Sequence, residues 1–118
     1  MRSRSSTIRG KAMAPSRVGR TSESEIARAV LQIAASTTDG LATFHRLKRE
    51  IPTTIRLTPD DQTQSPTRLN EELWEQQIRN IKSHHNVEGN ILCEGYAVHV
   101  PRVGYKITDA GRRYIERR

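Results

Sequence analysis

The sequence predicts an α+β chain, mostly helical, with a small antiparallel β-hairpin near its C-terminal end. Two patterns predict it. Apolar residues recur at helical spacing over 22–36 and again over about 70–85, whereas over 96–108 they alternate with polar ones around Pro101 and Gly104. Composition sets the scale: 34% of the 118 residues are hydrophobic and only five are aromatic, so any core is small.

The first helix begins at Thr21 or Ser22. Ser22 and Glu25 have capping-box spacing, and Ile26, Val30, Ile33 and Ala34 recur on one side until about Ser36. Thr37 to Gly40 reads as a turn, and Leu41-Ala42 as a very short strand. Thr43 caps a second helix over about 44–51, with Leu47 and Ile51 one turn apart and Pro52 as its stop. Arg46, Lys48 and Arg49 lie toward its exposed side.

Residues 52–69 are the least regular part. Leu57-Thr58-Pro59-Asp60-Asp61 reads as a cap and one helical turn, and 62–67 as loop. A segment this long between helices often carries function. The third helix runs from Leu69 or Asn70, with Asn70 as cap, to His84 or His85. Leu73, Trp74, Gln77, Ile78 and Ile81 form its apolar stripe; Gln76, Arg79 and Ser83 share another face with Asn80 and Lys82 nearby. Ile91, Leu92 and Cys93 return apolar side chains to the core. Tyr96, Val98 and Val100 then alternate with Ala97 and His99 on a strand, and Pro-Arg-Val-Gly makes the turn. Tyr105 and Ile107 line the return strand. Asp109 caps a last helix over 110–117, with Tyr114 and Ile115 inward and Arg112, Arg113 and Arg117 outward.

This order, helix, strand, helix, helix, hairpin, helix, is that of a winged helix-turn-helix, with the hairpin as its wing. One domain is expected over 21–118, preceded by a basic, disordered tail over 1–20. The net charge is +7, yet six basic residues and no acid fall in 1–20, which leaves 14 basic against 13 acidic residues over 21–118. The tail reads as an arm adding phosphate contacts, as a solvated leader, or as an organelle transit peptide. The folded part must gather its cations on one face to hold a polyanion.

Other chemistries find little support. One cysteine precludes an internal disulfide and fits a reducing compartment. His84, His85, Cys93 and His99 match no common zinc spacing; His84 and His85 suit a helix end and Cys93 suits the core. No phosphate loop, nucleophile elbow or spaced carboxylate pair appears, since Asp60 and Asp61 are adjacent, so neither an enzyme nor a cofactor is expected. No stretch approaches the roughly 18 apolar residues of a membrane span.

The chain also resembles the N-terminal winged-helix domain of Mrr-type restriction-system proteins and related DNA-associated bacterial domains. The similarity lies in Leu57 to Asp61, in Leu73-Trp74-Glu75-Gln76-Gln77-Ile78-Arg79-Asn80-Ile81 and in Gly104-Tyr105-Lys106-Ile107-Thr108-Asp109-Ala110-Gly111-Arg112, and covers about 21–116. The resemblance implies a DNA-targeting module that works beside a nuclease domain; with no nuclease core before Arg118, it implies binding without cleavage.

The expected function is double-stranded DNA binding through the third helix and the wing. The setting is a transcriptional regulator, or a targeting protein of a restriction or defence system, in the cytoplasm and associated with the nucleoid. Arg79 is placed to pair with guanine, and Gln76 or Asn80 with adenine. Lys82 and Ser83 are placed on phosphates, Arg102 at the wing tip on the backbone or minor groove, and Arg46 and Arg49 on the backbone. A separate nuclease or other subunit, or a homodimer through the terminal helices, is a further expected partner. The competing class is a protein-interaction module, which an exposed apolar patch on the third helix or wing would favour.

Overall fold

The structure, a computed structural model, describes residues 19–117. It is α+β, with helices α1 (Glu23–Ala35), α2 (Phe44–Thr54), α3 (Leu73–Ser83) and α4 (Asp109–Glu116), and strands β1 (Leu41–Thr43), β2 (Ala97–Val100) and β3 (Gly104–Ile107). The expected tail lies outside the described residues except for Gly19 and Arg20, and the Gly19 carbonyl accepts a hydrogen bond from the Thr58 hydroxyl at 2.7 Å.

The first helix is the centre of the packing. Its capping box forms as the spacing predicts: the Ser22 hydroxyl accepts from the Glu25 amide and the Glu25 carboxylate accepts from the Ser22 amide, each at 3.1 Å. Ile26, Val30 and Leu31 are wholly buried, and α1 touches α2, α3, α4, β1 and β3. The core therefore sits between α1 and everything else.

The sheet has three antiparallel strands in the order β1-β3-β2, so the expected hairpin gains a third strand on its β3 side. Gly104 makes this approach possible. A Cβ there would stand 2.0 Å from the Ala42 carbonyl oxygen, inside contact distance, so any other residue would push β1 away. Consequently Gly104 opens β3 instead of closing the turn, and the connection is Pro101 to Val103. The Val103 amide donates to the Val100 carbonyl at 2.9 Å, with Pro101 second and Arg102 third at φ +67°. That is the pattern of a type II turn, whose third position favours glycine. The Phe44 amide donates to the Val103 carbonyl at 2.8 Å and ties the start of α2 to the turn.

On β3, Tyr105 and Ile107 are buried as expected, but on β2 the inward positions are Ala97 and His99, while Val98 is 49% exposed. The register decides this, because Ala97 faces Ile107 and His99 faces Tyr105 across the ladder.

Helix boundaries differ from the sequence expectation in three places. Pro52 does not stop α2; it lies on the exposed side, where its missing N–H costs one bond to Lys48, and the Ile55 amide closes the helix on the Ile51 carbonyl. Asn70 is not the cap of α3: its φ of +65° is left-handed, and the helix starts at Leu73 after Glu72, whose amide donates to the Glu75 carboxylate at 2.8 Å. Thr108, not Asp109, caps α4, accepting from the Gly111 amide while donating to the Gly95 carbonyl. Cys93 is exposed, not core, because the turn over 90–95 directs it outward while Ile91 goes in.

Residues 57–72 are stitched down. The turn expected at Thr58 forms, with Asp61 and Gln62 amides returning to Thr58. Ser65 and Glu71 then pair through their backbones at 2.7 Å, and Leu73 and Trp74 amides donate to the Thr63 and Asp61 carbonyls. At the middle is the buried Asp61 carboxylate, which accepts from the Thr21 amide at 2.6 Å, the Thr21 hydroxyl at 2.5 Å and the Thr58 amide at 2.9 Å. Burial opposes its ionisation, but the donors from Thr21 and Thr58 outweigh it and hold the carboxyl below the ordinary range. Gln77 of α3 completes the clasp by donating to the Thr21 carbonyl at 2.9 Å.

Candidate functional site

Between the C-terminal half of α3 and the hairpin lies a cleft of about 310 Å³. Arg79, Lys82 and Ser83 reach it from α3, Arg102 from the turn, Arg68 from the loop, His99 and Tyr105 from the sheet, and Phe44 from the start of α2. No carboxylate is among the residues that line it. Arg68, Lys82 and Arg102 also make no ion pair among the described residues. The cleft is thus a local concentration of positive charge on a nearly neutral fold.

Arg79 is held differently. Its Nε donates to both Glu71 oxygens at 3.1 and 3.0 Å, and its Nη2 to Glu71 Oε2 at 2.6 Å. Glu71 is 6% exposed and also receives Lys48 of α2 at 3.4 Å. The Arg79 hydrogen bond, against the cost of burial and with Lys48 behind it, holds the Glu71 carboxyl below its usual range; the Arg79 guanidinium is raised in turn. Side-on pairing uses the Nε/Nη2 edge, and Nη1 makes no hydrogen bond among the described residues.

The aromatic floor is fixed. The Tyr105 hydroxyl donates to the Ile78 carbonyl at 2.7 Å, and burial pushes its pKa up to about 12. Phe44 meets the Tyr105 ring edge-on at 5.5 Å between centroids, and His99 lies 5.7 Å from Tyr105. Burial, with Lys82 adding to it, lowers the His99 pKa below the ordinary histidine range.

Of the residues singled out in the sequence, Arg79, Lys82, Ser83 and Arg102 come together here. Gln76, Asn80, Arg46 and Arg49 do not. Gln76 accepts from the Ser65 hydroxyl at 2.8 Å, and Asn80 contacts Gln77 at 3.4 Å. Arg46 and Arg49 both turn to Glu50, at 2.7 and 3.2 Å. Sequence reading missed Arg68, Phe44 and His99. The signal for His99 was its position opposite Tyr105 on the hairpin; Arg68 gave none, since a loop has no period to place it.

The histidines at the end of α3 have local partners: His84 pairs with Glu23 at 2.9 Å, and His85 meets the Lys82 carbonyl at 3.0 Å. Among the described residues, no three of His, Cys, Asp and Glu converge as metal ligands would. No described helix is long and apolar enough to cross a membrane.

Compared with family models, curated proteins and solved structures, the chain matches none.

Proposed function

We propose that this chain is a winged-helix domain that binds double-stranded DNA, with α3 and the hairpin as its reading surface. The element order and the β1-β3-β2 strand order support the fold reading. The observation that carries the function is the convergence of Arg68, Arg79, Lys82 and Arg102, from three separate elements, on one surface without a lining carboxylate. Such cations neutralise phosphates and set the register of a duplex. Arg102 adds to this: a cation occupies a left-handed position where glycine would be easier. The setting is gene regulation, or DNA targeting within a restriction or defence system, the latter being what the Mrr resemblance implies.

Fluorescence anisotropy on duplex DNA at two salt concentrations tests the reading. The full chain is compared with a variant carrying Arg68→Ala, Lys82→Ala and Arg102→Ala. Affinity should fall, and the slope of log K against log salt should drop by about 2–3, close to one for each phosphate no longer neutralised. An unchanged slope would mean that Arg68, Lys82 and Arg102 neutralise no phosphate and would overturn the cleft as the DNA-binding surface.

The protein-interaction reading has one observation in its favour: Val98 and Val103 of the hairpin and Leu69 of the loop are exposed, Leu69 by 87%. Retained binding of a protein partner by the triple variant, with no DNA affinity in either form, would select it.

A further inference from the structure

We propose that the cleft between α3 and the hairpin is a pocket for a single nucleotide unit, with the base against Phe44 and His99 and the phosphate on the surrounding cations. This goes beyond duplex binding, since a duplex laid across a helix face needs no cavity behind it. The volume of about 310 Å³ lies at the small end of ligand pockets, roughly 300–1,000 Å³.

The lining divides into two chemistries. The inner part is aromatic, and its rings are already fixed: Tyr105 by its bond to Ile78, Phe44 edge-on against Tyr105, and His99 6.4 Å from Phe44. Ordered rings stack on any base and lose little freedom in doing so. The His99 ring lines the same part, 5.7 Å from Tyr105, and its two nitrogens can meet a base edge. The outer part is cationic. Lys82 and Arg102 have no ion pair among the described residues to compete with a phosphate, whereas Arg79 is immobilised by Glu71 with Nη1 left over. A ligand that satisfies both parts carries a flat aromatic ring and a phosphate a few ångströms away. Two sources have that chemistry: a nucleotide unstacked from a DNA strand, and a free nucleotide.

Calorimetric titration of the full chain distinguishes them. The probes are deoxyadenosine and deoxyguanosine 5′-monophosphate, inorganic phosphate, a fully paired duplex, and the same duplex with one unpaired nucleotide. At least one mononucleotide, or the bulged duplex over the paired one, should be favoured by about tenfold, the stacking of one base. Phe44→Leu keeps apolar volume but removes the ring, and should abolish that preference while leaving inorganic phosphate unaffected. Arg102→Gly, which the backbone conformation favours, should weaken both nucleotide and phosphate, and the retained phosphate binding of the Phe44 variant guards against misreading a folding defect there. Preference for the bulge alone assigns the pocket to a strand nucleotide; tight mononucleotide binding assigns it to a free one. Mononucleotides no tighter than inorganic phosphate, with bulged and paired duplexes equal, overturn the pocket. So does a preference that survives Phe44→Leu. The paired duplex separates this outcome from failure of the DNA reading: binding to it without any base preference removes the pocket and keeps the DNA-binding function.

Discussion

Replacing Asp61 by Asn changes one atom at the centre of the clasp that joins the chain before α1 to the loop before α3. The carboxylate accepts from two groups of Thr21 and from the Thr58 amide, all inside a site that is 2% exposed at Asp61. An amide keeps one oxygen; placed at Oδ2 it still accepts from the Thr21 hydroxyl and the Thr58 amide, but its NH₂ then faces the Thr21 amide, so one bond is lost outright and the other two lose their charged acceptor. Bonds to a charged acceptor contribute about 1.5–3 kcal/mol each, and partial relaxation brings the expected loss to about 2–4 kcal/mol. For a domain this small the melting temperature should fall by roughly 10–25 °C. The pH dependence follows from the depressed carboxyl. Its stabilisation is complete above the unfolded value near 3.9 and is lost as pH falls through the lower folded value, so the gap between wild type and variant should be full at pH 7 and close in strong acid. Urea titrations at pH 7 and at about pH 2–3 measure it. A loss below about 1 kcal/mol at pH 7, or a gap that does not narrow in acid, would refute the assigned role of Asp61.

Two further substitutions address the hairpin. Arg102→Gly removes a side chain from a left-handed position and should raise stability by about 1 kcal/mol while lowering DNA affinity; a lower melting temperature would show that Arg102 packs rather than protrudes. Gly104→Ala forces a Cβ against the backbone of β1 and should cost more than about 3 kcal/mol, seen as an early urea midpoint and a loss of near-ultraviolet signal. Full stability would mean that β1 does not pair with β3.

The features that were legible in the sequence are the ones set by near neighbours. Ser22 and Glu25 are three residues apart and satisfy each other, so the start of α1 follows from spacing alone. The same holds for the stripe of Trp74, Ile78 and Ile81, and therefore for the outward position of Arg79 and Lys82. What escaped was decided at long range. Asn70 is a good cap in isolation, but the backbone pairing of Ser65 with Glu71 forces a turn there and delays α3. Thr108 and Asp109 are both good caps, and the Gly95 carbonyl, which takes the Thr108 hydroxyl, selects between them. In the site, Gln76 was on the right face but was claimed by Ser65, a partner 11 residues away on an irregular loop. Arg68 joined the cleft through that same loop. Periodicity orients a side chain on its own element and says nothing of which neighbour arrives in front of it.

The bond from the Phe44 amide to the Val103 carbonyl bears on how the hairpin can move. With β3 between β1 and β2, and the turn fastened to the first residue of α2, the hairpin has no hinge of its own. It cannot swing toward a ligand independently of the second helix. The backbone spacing between the Pro101–Val103 turn and α3 is therefore set by the fold, and what adapts across it is the reach of the Arg102 and Lys82 side chains.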